Sequence, residues 1–280
     1  MNKLIPILML LLPSLATAAG GGGYPLDHAP IDVSNTASLQ RGARLFVNYC
    51  MGCHSAEYQR YNRLARDLDL PEELVEQHLI FTSTSKADNS GIEKTKIGET
   101  MKIAMSKKDA KNWFGAAPPD LTLVARSRGA DYLYTYLRTF YLDDGRPWGV
   151  NNAAFPLVGM PHVLWELQGW QTPIYTADPH DPSKQVITGF EVMQPGSMTV
   201  PEFDRAMADL VNFLSYTAEP IQLERKRIGI WVLLFLALGL VVAIRSRKSI
   251  GKTFTKSQPW RGESCSPPRR GRTTKVANDI

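Results

Sequence analysis

The sequence predicts a mainly α-helical domain with long loops, followed by one C-terminal transmembrane helix. Three observations predict it. Apolar residues recur at helical spacing in three separated stretches, no long stretch alternates as a half-buried strand does, and a 17-residue run near the C-terminus carries no charge. At 280 residues, 44% apolar and 21% charged, the chain can bury one sizeable core. That composition excludes disorder throughout and a collagen repeat. With only three cysteines, two of them three positions apart, a disulfide scaffold is excluded as well.

Lys3 precedes an apolar run from Leu4 to Leu15 and the small residues Ala16, Thr17 and Ala18. This is the order of a secretory signal peptide, so residues 1–18 are expected to be removed. About a dozen apolar residues are short for a hydrocarbon core of about 30 Å. The glycines at 20–23 then form a flexible leader to an exported domain over 19–223.

Within that domain, Leu39, Ala43, Phe46 and Cys50 share one helical face, with Thr36 and Ser38 as candidate caps. Leu133, Tyr136, Leu137 and Phe140 repeat the spacing. A third helix is better marked: Thr199 and Glu202 have capping-box spacing, Pro201 lies in the first turn, and Phe203, Met207, Leu210, Val211 and Leu214 form the buried stripe. The stretches 143–161 and 171–195 read as loops, with 186–192 as a short hairpin arm. There is no internal repeat, Gly-rich phosphate loop or nucleophile elbow.

The run Ile228 to Ile244 is apolar on every side, unlike the one-sided stripe of a surface helix. Its 17 residues span about 25 Å, and the basic flanks Arg225–Arg227 and Arg245–Lys248 can snorkel to complete a crossing over 224–248. An exported N-terminus puts the end after this helix in the cytoplasm, in agreement with the basic residues beyond Ile244. The tail 249–280, rich in Pro, Gly, Ser and Arg, is expected to be disordered and at most attracted to anionic lipid. Cys265 in that tail is a reduced thiol with no assigned role.

Charge changes sign along the chain. From Ala19 to Leu223 there are 18 Lys/Arg against 24 Asp/Glu, net −6; from Arg245 to Ile280 there are 10 against 2, net +8. The formal +5 therefore sits in a tail, and nucleic acid is not an expected partner.

The segment Cys50-Met51-Gly52-Cys53-His54 is C-x-x-C-H, the haem c attachment pattern. Thiols one helical turn apart reach the two vinyl groups of one porphyrin, and the following imidazole turns under the iron, which makes His54 the proximal metal ligand. Two other chemistries use CxxC. A zinc site wants a second Cys/His pair, and a thioredoxin-like disulfide wants an α/β sheet that this sequence does not show.

The sixth ligand decides whether such a haem carries electrons or binds small molecules. The candidates are Met101, Met105, Met160, Met193, Met198 and Met207, with His78, His162 and His180 as histidine alternatives. Met207 belongs to a core stripe. Met160, in Val158-Gly159-Met160-Pro161-His162, has Gly and Pro restricting the backbone beside its thioether, with His162 two residues away.

Four segments taken in order, QRGARLFVNYCMGCHSAEYQRYNRL, APPDLTLVARSRGADYLYTYL, FPLVGMPHVL and TAEPIQLERKRIGIWVLL, resemble the cytochrome c1 family, the haem-bearing subunits of quinol:cytochrome c reductase (the cytochrome bc1 complex). The likeness runs from about Leu26 to Arg247. It implies an expanded class I cytochrome c fold and places the axial methionine on Met160. The propionate arginine falls on Arg128, with Arg126 nearby, and Pro119 of the Pro-Pro-Asp-Leu turn borders the haem. The tail after Ile250 departs from the short basic end of the family.

The resemblance implies one covalently bound haem c that takes one electron from the Rieske iron–sulfur protein and passes it to a soluble or membrane-tethered cytochrome c. Cytochrome b and membrane lipid are further implied partners. The haem domain would face the periplasm of a bacterial inner membrane. No catalysis by the isolated chain is implied, since no residue serves as acid, base or nucleophile; the chain is a redox subunit of an oxidoreductase. The rival reading is another membrane-anchored monohaem cytochrome serving a peroxidase or dehydrogenase.

Overall fold

The computed structural model describes residues 24–85, 91–179 and 181–254. The expected signal peptide, His180 and Cys265 lie outside the described residues, as does the tail beyond 254. Two compact units divide between Glu224 and Arg225.

In the first unit the core is built on three helices. Helix α1 (Thr36–Leu45) buries Leu39, Ala43 and Leu45 and continues as a π-helical turn, Phe46–Cys50. Its cap is Asn35, whose side chain accepts from the Ser38 N–H at 3.1 Å, one residue ahead of the expected Thr36. Short elements follow: β1 (Ala56–Arg60), α2 (Tyr61–Asp67), α3 (Glu72–His78), β2 (Ser83–Ser85), β3 (Ile92–Lys94), β4 (Thr100–Met101), α4 (Lys107–Phe114) and α5 (Val124–Arg128). Helix α6 (Ala130–Arg138) then buries Tyr132, Leu133, Tyr134, Thr135 and Leu137. After β5 (Phe140–Leu142), β6 (Val150–Asn152) and the one-turn α7 (Trp165–Gln168), a long hairpin joins β7 (Gly169–Ala177) to β8 (Gln185–Pro195). Helix α8 (Val200–Ala218) closes the unit.

The expected stripe of α8 is the observed one: Phe203, Met207, Leu210, Val211 and Leu214 are all buried, and Glu202 reaches back to the Thr199 N–H at 2.9 Å. Helices α1 and α8 cross where Gly42 leaves room, since a Cβ there would run into the Asp209 carbonyl and lie 2.7 Å from the Phe213 Cβ. Phe46 packs on Phe213 with ring centroids 5.6 Å apart. Asn212, buried in α8, ties the crossing by donating to the Asp32 carbonyl (2.7 Å) and the Ser38 hydroxyl (3.0 Å). Arg138 joins α6 to α8 with two bonds to Asp204, 2.6 and 3.1 Å.

The sheets described are all two-stranded and antiparallel: β1–β4, β2–β3, β5–β6 and β7–β8. The hairpin β7–β8 is longer than the arm the sequence suggested. Its exposed residues run together, Ile174–Ala177 on β7 and Glu191–Pro195 on β8, so it alternates too weakly for periodicity to reveal it.

In the second unit, helix α9 (Gln222–Phe254) runs past both ends of the expected span. Its segment Gln222–Arg247 is 26 residues, about 39 Å, long and apolar enough to cross a membrane. Trp231, Leu233 and Phe235 lie exposed along it.

Candidate haem-attachment site

The π-helical turn delivers the cysteines. Met51 N–H reaches back to the Phe46 carbonyl (2.9 Å), and the Cys50 carbonyl then accepts from both Cys53 N–H (3.1 Å) and His54 N–H (2.9 Å). A wide turn followed by a tight one folds the chain over, so that His54 follows directly on the two thiols. Both cysteines are free, Cys50 buried and Cys53 half-buried. Burial, with Cys53 adding to it, pushes the Cys50 thiol up to about 12, so it is held neutral.

His54 is only 9% exposed, and its Nδ1 lies 2.7 Å from the Pro119 carbonyl oxygen. A carbonyl can only accept, so Nδ1 carries the proton and Nε2 keeps its lone pair free for a metal. Burial pushes the imidazole below its ordinary value, against the opposing pull of Pro119 and Asp120, which favours the neutral ligating form. The turn that presents Pro119 is itself tied down. Asp120 accepts from Glu57 N–H (2.8 Å) and Thr122 N–H (2.9 Å), and Leu121 N–H donates to the Ser55 carbonyl (2.9 Å).

These residues fit a haem c. Two free thiols one turn apart suit thioether bonds, and a histidine with Nδ1 engaged and Nε2 open suits iron. Among the described residues no three His, Cys, Asp or Glu side chains converge as a metal site, which leaves a zinc half-site without its other half.

Met160 lies on a separate, tightly braced loop. Asn151 accepts from Leu157 N–H (2.8 Å), and Asn152 accepts from Ala154 N–H and Phe155 N–H (3.0 Å each). Arg146 grips the Leu157 and Val158 carbonyls at 2.9 and 3.3 Å. The loop contains Leu157 at φ 63°, a left-handed conformation unusual for a branched residue, and these bonds hold it there. The half-buried Met160 packs against Phe140, Val150 and Val158, and its sulfur accepts from the Tyr136 hydroxyl at 3.4 Å.

His162, 5% exposed, is sandwiched instead: its ring stacks on Phe140 (5.0 Å, 8°) and meets Trp170 edge-on (5.8 Å). Neither ring nitrogen closes a hydrogen bond, and burial pushes the ring down to about 4, partly offset by the nearby Gly169 backbone. Met101 and Met207 are fully buried in the main core, Met193 is exposed on β8, and Met198 packs partly buried against the core. Met105 lines a small cleft beside Ser55, Pro118 and Asp120, on the side of the turn that engages His54 Nδ1. His78 is exposed at the end of α3.

The structure brings Pro119 to His54. Arg128 lies exposed with its guanidinium 5.8 Å over the Tyr132 ring, and Tyr132 stacks on Tyr136 at 6.1 Å, two rings away from the Met160 sulfur. Arg126 instead turns to Glu219 at 3.6 Å. The bracing residues Arg146, Asn151 and Asn152 and the hydroxyl of Tyr136 were not singled out from sequence. The Asn-Asn doublet ahead of the Gly-Met-Pro segment is a turn-forming signal for the two asparagines; for Arg146 and the hydroxyl there is none.

The model of the Cytochrome C1 family matches residues 27–168, half of the chain and the part that holds Cys50, Cys53, His54, Pro119, Arg126, Arg128 and Met160. The chain belongs to the cytochrome c1 family. Cytochrome c1 of Allochromatium vinosum is 47% identical over 252 residues, which is 90% of this chain and 99% of that protein. The ammonia monooxygenase gamma subunit of Nitrosomonas europaea is 44% identical over 248 residues, 88% and 96% of the two chains. The mitochondrial cytochrome c1 haem protein of Saccharomyces cerevisiae is 26% identical over 243 residues, 80% and 70%. The mostly helical cytochrome c1 domain with one long apolar C-terminal helix is thus the fold of a haem electron-transport family.

Proposed function

We propose that this chain is the haem c subunit of a quinol:cytochrome c reductase, taking one electron from the Rieske iron–sulfur protein and passing it to a soluble or membrane-tethered cytochrome c. The observation that carries this is the pairing of two free thiols with a His54 whose Nδ1 is engaged and whose Nε2 is open. When bound, haem c supplies reversible one-electron chemistry at a potential tuned by its surroundings.

The chain's own residues have five tasks. Cys50 and Cys53 anchor the porphyrin, which keeps a redox group from being lost outside the cell. His54 and Met160 would hold the iron, the neutral thioether favouring a raised potential. Arg128, with Arg126 in support, offsets propionate charge, and Pro119 fixes His54. The acidic domain, net −6 over Ala19 to Leu223, attracts a basic carrier.

Membership implies cytochrome b and membrane lipid as further partners. The arrangement expected is a cleaved signal peptide over 1–18, the haem domain in the periplasm of a bacterial inner membrane, α9 as the anchor and the C-terminus in the cytoplasm. The isolated chain catalyses nothing by itself. The name of the Nitrosomonas relative supports a second reading, an electron-carrying subunit of a monooxygenase.

Purification of the detergent-solubilised chain from its own membrane separates the readings. Recovery with cytochrome b and the Rieske protein supports the first, recovery with monooxygenase subunits the second. A high-spin iron that reacts with peroxide would point to a peroxidase instead.

A further inference from the structure

The Met160 sulfur has a hydrogen-bond donor aimed at it. The Tyr136 hydroxyl stands 3.4 Å away. Its direction is fixed by the fold: the ring stacks on Tyr132 at 6.1 Å and 20°, meets Phe140 edge-on at 5.2 Å and 75°, and the Tyr136 carbonyl receives Asn152 Nδ2 at 2.7 Å. Tyr136 also packs against both hydrophobic clusters, the one that contains Cys50 and the one that contacts Met160.

A thioether is a weak acceptor, so this bond contributes little to folding stability. It has a larger electronic consequence. A sulfur bound to iron uses one lone pair and retains a second, so ligation and the tyrosine bond are compatible. We propose that Tyr136 is a positioning residue whose hydroxyl sets the donor strength of the Met160 sulfur, and thereby raises the potential of the haem; this rests on Met160 being the axial ligand. The hydrogen bond draws electron density from the sulfur. Ferric iron depends on that donation more than ferrous iron does, so weaker donation favours the reduced state.

The chain contains an internal control. Tyr61 donates to the Met51 sulfur at 3.5 Å, the same chemical pair at a sulfur that is not a proposed ligand.

The test uses the full-length, detergent-solubilised, haem-loaded protein and its Tyr136→Phe and Tyr61→Phe variants. Phenylalanine keeps the ring stacking and removes only the hydroxyl. The readouts are the midpoint potential and the sulfur-to-ferric-iron charge-transfer band. In Tyr136→Phe the band is expected to persist, showing Met160 still bound, while the ratio of oxidised to reduced haem at a fixed ambient potential rises by about threefold to tenfold, tenfold being about 59 mV for one electron. Tyr61→Phe is expected to leave the potential in place. The proposal is overturned if Tyr136→Phe leaves the potential unchanged, if the band is lost so that the hydroxyl is only a prop, or if Tyr61→Phe shifts the potential equally. If the unmodified protein lacks the band and Met160→Leu leaves its potential unaltered, the ligand assignment itself fails and takes the proposal with it.

Discussion

His54 Nδ1 and the Pro119 carbonyl, 65 residues apart in sequence, meet at 2.7 Å. The bond leaves Nε2 as the nitrogen open to a metal, and it depends on a turn tied down by the Asp120 carboxylate and by the Leu121 N–H on the Ser55 carbonyl. Asp120→Ala removes the acceptor for both Glu57 N–H and Thr122 N–H. A loss of about 1–3 kcal/mol is expected in chemical unfolding of the haem-loaded protein. A rise in midpoint potential is expected with it, because a loosened Pro119 makes His54 a poorer donor. Unchanged stability and potential would show that the turn is held by other means.

Met160→Leu removes the thioether and leaves the loop anchored by Arg146, Asn151 and Asn152. The expected result is a midpoint potential lower by about 120 mV or more, a hundredfold in the redox ratio at 59 mV per decade, and an iron that now binds carbon monoxide. A redox titration with a carbon monoxide difference spectrum checks both. An unchanged potential would transfer the ligand role to His162 or to another methionine.

Asp67 governs part of the acid limb of stability. Burial alone would raise its carboxyl, but hydrogen bonds from Arg63, Tyr216 and Arg66 outweigh this and hold it below the ordinary carboxylate range. As pH falls below about 4, the unfolded chain takes up the proton while the folded chain resists it, so stability drops through that window. Above it the contribution is fully present. Asp67→Asn is expected to flatten this part of the curve of unfolding midpoint against pH. A variant curve parallel to that of the unmodified protein would remove Asp67 from the account.

Electron delivery to a basic cytochrome c is expected to slow several-fold as ionic strength rises from 0.01 to 0.15 M, where the screening length shortens from about 30 Å to about 8 Å. The reason is the net −6 of the segment from Ala19 to Leu223. Stopped-flow traces at graded salt measure it, and a rate indifferent to salt would remove the electrostatic part of docking.

What the sequence made legible is what repeats at short range. The α8 stripe and its Thr199–Glu202 cap, the end of α1 at Cys50 and the uncharged run of α9 are local patterns, each set by periodicity or by a cap within one turn. Contacts between distant segments were not legible. Pro119 reached the site reading only through family resemblance, because nothing local ties a proline carbonyl to a histidine 65 positions earlier. The Tyr136 hydroxyl is a further case. As one residue of an apolar stripe it looks like core, and only the packed loop shows that its oxygen meets the Met160 sulfur. The π-helical turn before Cys50 was also hidden, since one extra residue in a helical turn leaves no mark on the hydrophobic pattern. The hairpin β7–β8 escaped because its exposed positions run together, Ile174–Ala177 on β7 and Glu191–Pro195 on β8, and leave no alternation.

The most direct test is the intact mass of the mature chain purified from its own membrane, followed by the mass of the peptide spanning Cys50 to His54. The expected result is one haem added to that peptide through both cysteines. Two unmodified thiols at Cys50 and Cys53 would contradict it.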